Sequence, residues 1–506
     1  MSQIDVLFVV PSSSQKAYQA LKSYYAAIEP PTWALLLANS IRKVNFKPQI
    51  LDCEAEGIDN EFSIKRIKDL NPRLCCFVLY GQNPNSGTTS MIGAVELAKK
   101  IKEEIPKAKI CFVGSHTSAL PNEVLSYDFV DFVLINEGVY ALRDLLKTDL
   151  VNDLSKCRGI GYKSEGKNIF TNPGEIVSNE NMDKDLPGYA WDLLPKKNKP
   201  LDLYRSHFWH SYFSDEDRTP FASIYSSLGC SFGCNFCMIN ILNRNKLDDN
   251  LDASDFKGMR FWSPEFFLNE LEKLHQFGVK TLRLSDEMFF LNKKYYEPIL
   301  NGIIERKYNF NMWAYARVDT VRQDKLELFK KAGINWLCLG IEAGNQNVRM
   351  DIEKGRFKET NIREIVKMIK DAGINVLGNY IFGFPEDNFD TMQQTLDLAL
   401  ELNCEHANFY ACQALPGSPL YKTAIKNNWD MPTKYEEYAF LSYDCKPLPT
   451  KYITNKEVLQ FRDDAWHKYF SNPSYLNLIE KKFGVKNRKN IEELSKIKLK
   501  RKLLED

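Results

Sequence analysis

Residues 227–237 read Ser227-Leu228-Gly229-Cys230-Ser231-Phe232-Gly233-Cys234-Asn235-Phe236-Cys237. Three cysteines fall in a C-x3-C-x2-C spacing, with an aromatic residue just before the third. Three thiolates on one tight loop can face one inorganic centre. A structural zinc site wants four protein ligands, and no His or Cys follows closely enough to complete a local tetrahedron. A cubane iron–sulfur cluster held through three of its irons leaves the fourth open for chemistry, and short cysteine spacings of this kind hold such clusters. The alternatives are a structural zinc loop or three unrelated core cysteines.

Working outward, the sequence repeats a unit. Arg260-Phe261-Trp262-Ser263-Pro264-Glu265 places Ser263 as a helix cap with Pro264 at the first helical position. That helix stops at Phe277-Gly278 and a strand follows. Lys331-Ala332-Gly333 and Asp371-Ala372-Gly373 repeat the stop, each glycine where a helix ends left-handed. The pattern predicts six strands: 224–226, 282–285, 312–316, 337–341, 377–382 and 407–412. Six such units make a partial (β/α)6 barrel, with functional groups expected at the carboxyl ends of the strands. Those ends carry Ser285-Asp286-Glu287, Arg317, Glu342 and Gly383-Phe384-Pro385-Glu386. For any one of these residues a surface salt bridge is the plain alternative.

Upstream, apolar runs at 5–10, 48–51, 74–79, 110–113 and 132–135 alternate with helical stretches such as 32–42 and 90–104. Continuous apolar runs suit buried parallel strands, and the alternation predicts a doubly wound α/β domain with its ligand site beyond the strand ends. The third strand leads into Tyr80-Gly81-Gln82, the fourth into Gly114-Ser115-His116-Thr117-Ser118, the fifth into Asn136-Glu137-Gly138. Small residues there let a large flat ligand lie against backbone. No G-x-G-x-x-G follows the first strand, so a dinucleotide site is not expected. Cys75, Cys76 and Cys111 read as core.

The cysteine loop with Phe236 resembles the radical S-adenosylmethionine superfamily. With the α/β domain ahead of it, the chain is similar to cobalamin-dependent members of that superfamily, the class B methyltransferase-like group. The resemblance implies that Cys230, Cys234 and Cys237 hold a 4Fe–4S cluster whose open iron chelates S-adenosylmethionine. One electron then cleaves the sulfonium and releases a 5′-deoxyadenosyl radical. It implies Phe236 near the adenine, a contact from Ser285, Asp286 or Glu287 to the methionine amine, and Glu342 on the ribose. Ser285-Asp286-Glu287 stands where the family has Gly-Gly-Glu. Arg317 suits the methionine carboxylate. It also implies cobalamin against Tyr80, Gly81, Gly114, His116, Ser118, Glu137 and Gly138. The D-x-H-x-x-G signature is absent, so no histidine is expected on cobalt. His116 is then a loop residue or a corrin-edge contact.

The resemblance implies a methyltransferase acting on an unactivated carbon of a small molecule. The alternatives are a cobalamin-dependent radical cyclisation or rearrangement, or a non-catalytic cobalamin or redox sensor. A methylthiotransferase is disfavoured, because Cys53, Cys75, Cys76, Cys111 and Cys157 do not form a second three-cysteine site. An electron donor such as flavodoxin or ferredoxin is implied as partner.

Composition sets bounds. Length 506 allows about three domains. A hydrophobic share of 44% supports buried cores, and a net charge of +1 gives no reason to expect nucleic acid. No membrane span is expected, and the start reads as a strand, not a signal peptide. Twelve cysteines, mostly in apolar runs, fit a reducing cytoplasm. The expected division is 1–150 α/β domain, 151–215 connector, 216–425 barrel and 426–506 helical segment. Within it, 458–470, 475–483 and 491–504 are expected to be helical. The last is basic and expected to be a solvated face. Its functional option is a lid over the barrel mouth.

Overall fold

The computed structural model describes residues 3–22, 26–81, 83–248, 250–353 and 361–505. Gln82, quoted above in the loop after the third strand, lies outside them.

The first sheet begins with five parallel strands: β1 (Val6–Val10), β2 (Pro48–Asp52), β3 (Leu74–Leu79), β4 (Ile110–Gly114) and β5 (Phe132–Leu134). The order is β2-β1-β3-β4-β5, so the chain reverses direction across the sheet between β1 and β3. All six residues of β3 are buried, as expected of a strand covered on both faces. Alternation divides them between two cores. Val6, Phe8, Cys76 and Val78 join one apolar cluster with the helix Thr32–Arg42. Leu7, Val9, Cys75 and Phe77 join a second with the helices Asn60–Leu70 and Gly87–Glu104. The first cluster continues unbroken into the barrel. Within the expected connector, the hairpin β6 (Ile160–Ser164) and β7 (Lys167–Phe170) extends this sheet, with β6 antiparallel to β5.

The cysteines lie on and after β9 (Ser227–Cys230), which follows β8 (Phe221–Ile224) and pairs antiparallel with β10 (Gly258–Phe261). The remaining barrel strands are β11 (Thr281–Leu284), β12 (Asn311–Arg317), β13 (Ile334–Glu342), β14 (Asn375–Phe382) and β15 (His406–Ala411). Strands β8 and β11–β15 form one parallel six-stranded sheet in sequence order, the half-barrel. The first barrel strand starts and ends earlier than expected, because Ser226 and Ser227 turn into the cluster loop. Gly278, Gly333 and Gly373 all have positive φ at helix stops, as the repeat predicts. Ser263 caps its helix by accepting from Phe266 N at 3.2 Å.

Connector residues 207–213 plug the barrel floor. The Trp209 ring sits 5.5 Å from Trp313, 5.0 Å from Trp336 and 5.9 Å from His406. The helix Asn455–Phe470 covers the β15 edge, where Arg462 Nε donates to Phe409 O at 2.7 Å. An open strand edge is thereby closed. The expected 491–504 helix is the helix Val485–Ser495 followed by an irregular tail that ends in a short helical turn at Lys502–Leu504. That tail is not uniformly solvated: Arg501 is 3% exposed and grips Asp463 through Nε at 2.8 Å and Nη2 at 2.9 Å. Among the described residues no helix is long and apolar enough to cross a membrane.

Candidate active site

One cavity of about 710 Å³ lies between the carboxyl edge of the first sheet and the interior of the half-barrel. Its upper wall comes from the ends of β1, β2 and β3: Val10, Pro11, Asp52, Val78, Tyr80 and Gly81. Its lower wall comes from inward-facing barrel residues, and its third wall from residues 438–441, the helix Asn455–Phe470 and Ile497 and Leu499 of the tail. The C-terminal segment is thus one side of the cavity.

All three loop cysteines line this cavity, and all three are half-buried. The loop is built by local hydrogen bonds. Cys230 N donates to Asn240 Oδ1 at 3.0 Å, Asn240 Nδ2 donates to Phe232 O at 3.0 Å, and Cys237 N donates to Cys234 O at 3.2 Å. Among the described residues no three His, Cys, Asp or Glu are gathered around a single-ion site. Three cysteines on one loop match a cubane cluster, in which each thiolate takes its own iron and the fourth iron stays open. Burial pushes the Cys237 thiol up to about 12. Asn85, from the loop after β3, reaches across to it, with Nδ2 at 3.7 Å from Sγ.

The strand-end carboxylates divide sharply. Asp286 is fully buried and does not line the cavity. Its carboxylate accepts from Ser226 N at 2.9 Å, from Ser226 Oγ at 2.7 Å and from Ser227 Oγ. It holds the chain where β8 turns into the cluster loop. Burial raises its pKa and those hydrogen bonds oppose the rise. Ser285 is buried behind the wall, its N donating to Ile224 O at 2.8 Å. Glu287 does line the cavity, and its Oε1 has no hydrogen-bond partner among the described residues. Burial pushes Glu287 up to about 7.

Arg317 and Glu342 also line the cavity. The Arg317 guanidinium lies 4.0 Å over the Phe232 ring and forks onto Asp319, Nε and Nη2 each at 2.9 Å. Glu342 has φ +63° at the end of β13, an uncommon conformation for a non-glycine residue. Such backbone strain clusters at functional sites. Phe236 lines the cavity beside Phe384, ring centroids 5.8 Å apart.

On the α/β side, Tyr80 stacks on Trp33 at 4.5 Å and donates to Asn136 O at 3.1 Å. Gly81 has φ +62°, and a side chain there would meet Ser86. Gly114, His116, Ser118, Glu137 and Gly138 do not line the cavity. Residues 239–244 of the barrel cover the ends of β4 and β5. Arg244 Nη1 donates to Ser118 O at 2.7 Å, and Asn136 Nδ2 donates to Arg244 O at 2.6 Å. Glu137 pairs with Arg260 of β10 at 2.8 Å. A side chain at Gly114 would meet Leu79 O at 2.1 Å, and one at Gly138 would meet Val113. His116 is 1% exposed, its Nδ1 3.0 Å from Thr88 Oγ1 and its Nε2 3.3 Å from Glu123 Oε1. These five residues hold the sheet together and fasten it to the barrel.

Sequence reasoning missed three participants. Asn85 touches the cluster loop; Arg283 of β11 lines the cavity, and Glu29 reaches it from the α/β domain at 2.7 Å. Their partners are too distant in sequence for any local signal.

The family described as the Radical SAM superfamily matches residues 224–399, and the B12 binding domain matches residues 19–146. An uncharacterized methyltransferase of Pyrococcus horikoshii is 26% identical over 484 residues, spanning 94% of each chain. The anaerobic magnesium-protoporphyrin IX monomethyl ester cyclase of Cereibacter sphaeroides is 21% identical, over 92% of this chain and 70% of that one. In fold, the chain is similar to the radical S-adenosylmethionine methyltransferase TsrM of Kitasatospora setae. The TM-score is 0.66 at 16% identity, covering 97% of this chain and 98% of that one. The two matched domains carry the cofactors of their families, a 4Fe–4S cluster with S-adenosylmethionine in one and cobalamin in the other. With a three-cysteine loop at the mouth of a half-barrel and a doubly wound sheet closing over it, the chain is a radical S-adenosylmethionine enzyme with an N-terminal B12-binding domain.

Proposed function

We propose that this enzyme methylates an unactivated carbon of a small-molecule substrate. The observation that carries the reading is the shared cavity: cluster loop, barrel strand ends and the ends of β1–β3 all open into one space. When bound, the cluster with S-adenosylmethionine supplies a hydrogen-abstracting radical, and cobalamin supplies the methyl group.

Cys230, Cys234 and Cys237 would hold the cluster, with Asn85 donating toward Cys237. Glu287, not Asp286, would accept from the methionine ammonium, because the Asp286 carboxylate is occupied by two serines. Arg317 would face the methionine carboxylate, Glu342 the ribose and Phe236 the adenine. Tyr80 and Gly81 would lie against the corrin. The loop Pro11-Ser12-Ser13-Ser14 offers no histidine to cobalt. The third wall would keep water from the reacting carbon. In this reading residues 1–150 bind cobalamin, 151–215 connect and plug, 216–425 form the radical barrel and 426–506 close it. Its reductant would be a small acidic carrier such as flavodoxin or ferredoxin, and its compartment the cytoplasm.

The test is anaerobic incubation of reconstituted protein with trideuteromethyl S-adenosylmethionine, a reductant and candidate extracts, followed by mass spectrometry. A product bearing the labelled methyl group is expected. Deoxyadenosine formed with a product that gains no methyl would replace this reading with cyclisation or rearrangement. No deoxyadenosine at all would favour a sensor.

A further inference from the structure

Arg283 sits on β11 in register with Trp313 of β12. Its side chain is 1% exposed, yet it lines the cavity. The guanidinium face is covered by the Trp313 ring at 4.7 Å and the Tyr315 ring at 5.5 Å. Nη1 takes both oxygens of Glu29, at 2.9 and 2.7 Å. Nε and Nη2, which share the other edge of the plane, have no acceptor among the described residues. Nor has the indole Nε1 of Trp313, which lines the same cavity. These three groups donate and never accept.

A buried cation with one edge paired and the other unmet is a selective feature, since unmet buried donors are unfavourable until a ligand supplies acceptors. Two parallel N–H groups in one plane match the two oxygens of a carboxylate. Glu29 fixes the guanidinium from the far side, with His207 Nε2 3.7 Å from the same carboxylate. The receiving edge is therefore held in place by the protein before any ligand arrives.

We propose that Arg283 is the substrate anchor and that the substrate is a carboxylic acid with an extended apolar body. This rests on the methyltransferase reading for the word substrate, and it names that substrate's class. Depth sets the length. Trp313, level with Arg283, precedes Arg317 by four residues, about 13 Å along the strand. Between those levels the lining is Tyr315 and Ala316 of β12, Cys338 of β13, Leu377 of β14, and His406 and Ala407 of β15. A carboxylate held at Arg283 would thus present a carbon several bonds away to the rim where the cysteine loop lies.

The test compares 6-phenylhexanoate with 6-phenylhexanamide by calorimetric titration of the full chain, anaerobically reconstituted and supplied with cobalamin and S-adenosylmethionine. The acid is expected to bind about tenfold or more tightly than the amide. In Arg283→Gln the acid should fall to the amide's affinity while the amide is unchanged. Because that variant leaves Glu29 buried without its cation, Glu29→Gln/Arg283→Gln serves as the matched neutral pair, and its melting transition checks the fold. Equal affinity of acid and amide, no binding of the acid, or a preference that survives both variants would overturn the proposal. The readout needs no turnover. A protein that shows the preference but transfers no methyl group would sink the proposed reaction and leave the anchor standing.

Discussion

Asn85 and Cys237 lie 152 residues apart in sequence and meet across the join between the two domains, amide Nδ2 to Sγ at 3.7 Å. The orientation of the amide is set by its other end, where Oδ1 accepts from Met238 N at 3.1 Å. A cluster-bound thiolate has no proton to give, so only the N–H donor contact survives cluster assembly. Hydrogen bonds to cluster sulfurs tune reduction potential, and a donor favours the more negative, reduced state.

Replacing Asn85 with Ala should therefore make the cluster harder to reduce. A net hydrogen bond of about 1 kcal/mol corresponds to about 40 mV for a one-electron couple. A redox titration followed by electron paramagnetic resonance would read the shift. A potential that moves upward, or stays put while Asn85→Ala keeps a full cluster, would remove Asn85 from the cluster's environment.

Glu287 gives a pH dependence with a definite sign. Its pKa is raised to about 7, chiefly by burial; Arg283 pulls it down and Asp286 pushes it further up. An ammonium ligand needs the ionised carboxylate. Affinity for S-adenosylmethionine should therefore rise from about pH 5.5 to about pH 7.5, by up to tenfold per unit below 7. In Glu287→Gln the profile should flatten, with affinity about tenfold lower at the upper end. The sign for stability is opposite. Without ligand, a carboxyl whose folded pKa lies above its usual 4.5 favours the fold at low pH and loses that contribution as pH rises through about 7. Equilibrium dialysis across the range checks the first trend, and urea unfolding the second. A profile that weakens with pH in the wild type would exclude Glu287 from the amine contact.

The half-barrel was legible because its signal is local: Gly278, Gly333 and Gly373 each end a helix one to three residues before a strand, and all three adopt positive φ. The cysteine spacing is local in the same sense. What could not be read is which strand-end group faces inward. Asp286 and Glu287 are adjacent carboxylates, and only the fold shows that Ser226 and Ser227 consume the first. The ends of β4 and β5 looked like ligand rims because small residues crowd there. Their smallness serves packing, as the Gly114–Leu79 approach shows. Glu29 and Arg283 are 254 residues apart, beyond any periodicity.

The C-terminal tail is held to the third wall by Arg501. Burial pushes Asp463 up, yet Arg501 and Arg462 hold its carboxyl below the usual range. Arg501 Nη1 also donates to Ser442 O at 2.7 Å. Arg501→Ala leaves Asp463 with one cation and should cost about 3 kcal/mol in denaturant unfolding. It should also speed proteolysis within residues 496–505. Arg501→Lys should recover only part of the loss, because an ammonium cannot make the two-pronged contact. An alanine variant as stable and as protease-resistant as the parent would show the tail to be a passive cover.

His116 tests the lower face of cobalt. Both ring nitrogens are partnered inside the α/β domain, by Thr88 and Glu123, and Tyr435 packs edge-on against the ring at 5.2 Å. Glu123 also accepts from Tyr435 Oη at 2.7 Å, which ties the histidine to the segment after the barrel. To ligate a metal, the ring would have to break one of these contacts and leave a buried nitrogen's partner unmet. The loop after β1 has no histidine to offer in its place. The cob(II)alamin form of the loaded protein should therefore show cobalt hyperfine lines without further splitting from an axial nitrogen. His116→Ala should leave that spectrum unchanged while lowering stability by about 1–2 kcal/mol, the cost of a lost buried hydrogen-bond network. A nitrogen splitting in the parent that vanishes in His116→Ala would make the histidine a ligand, and would require the β4 end to open away from residues 239–244.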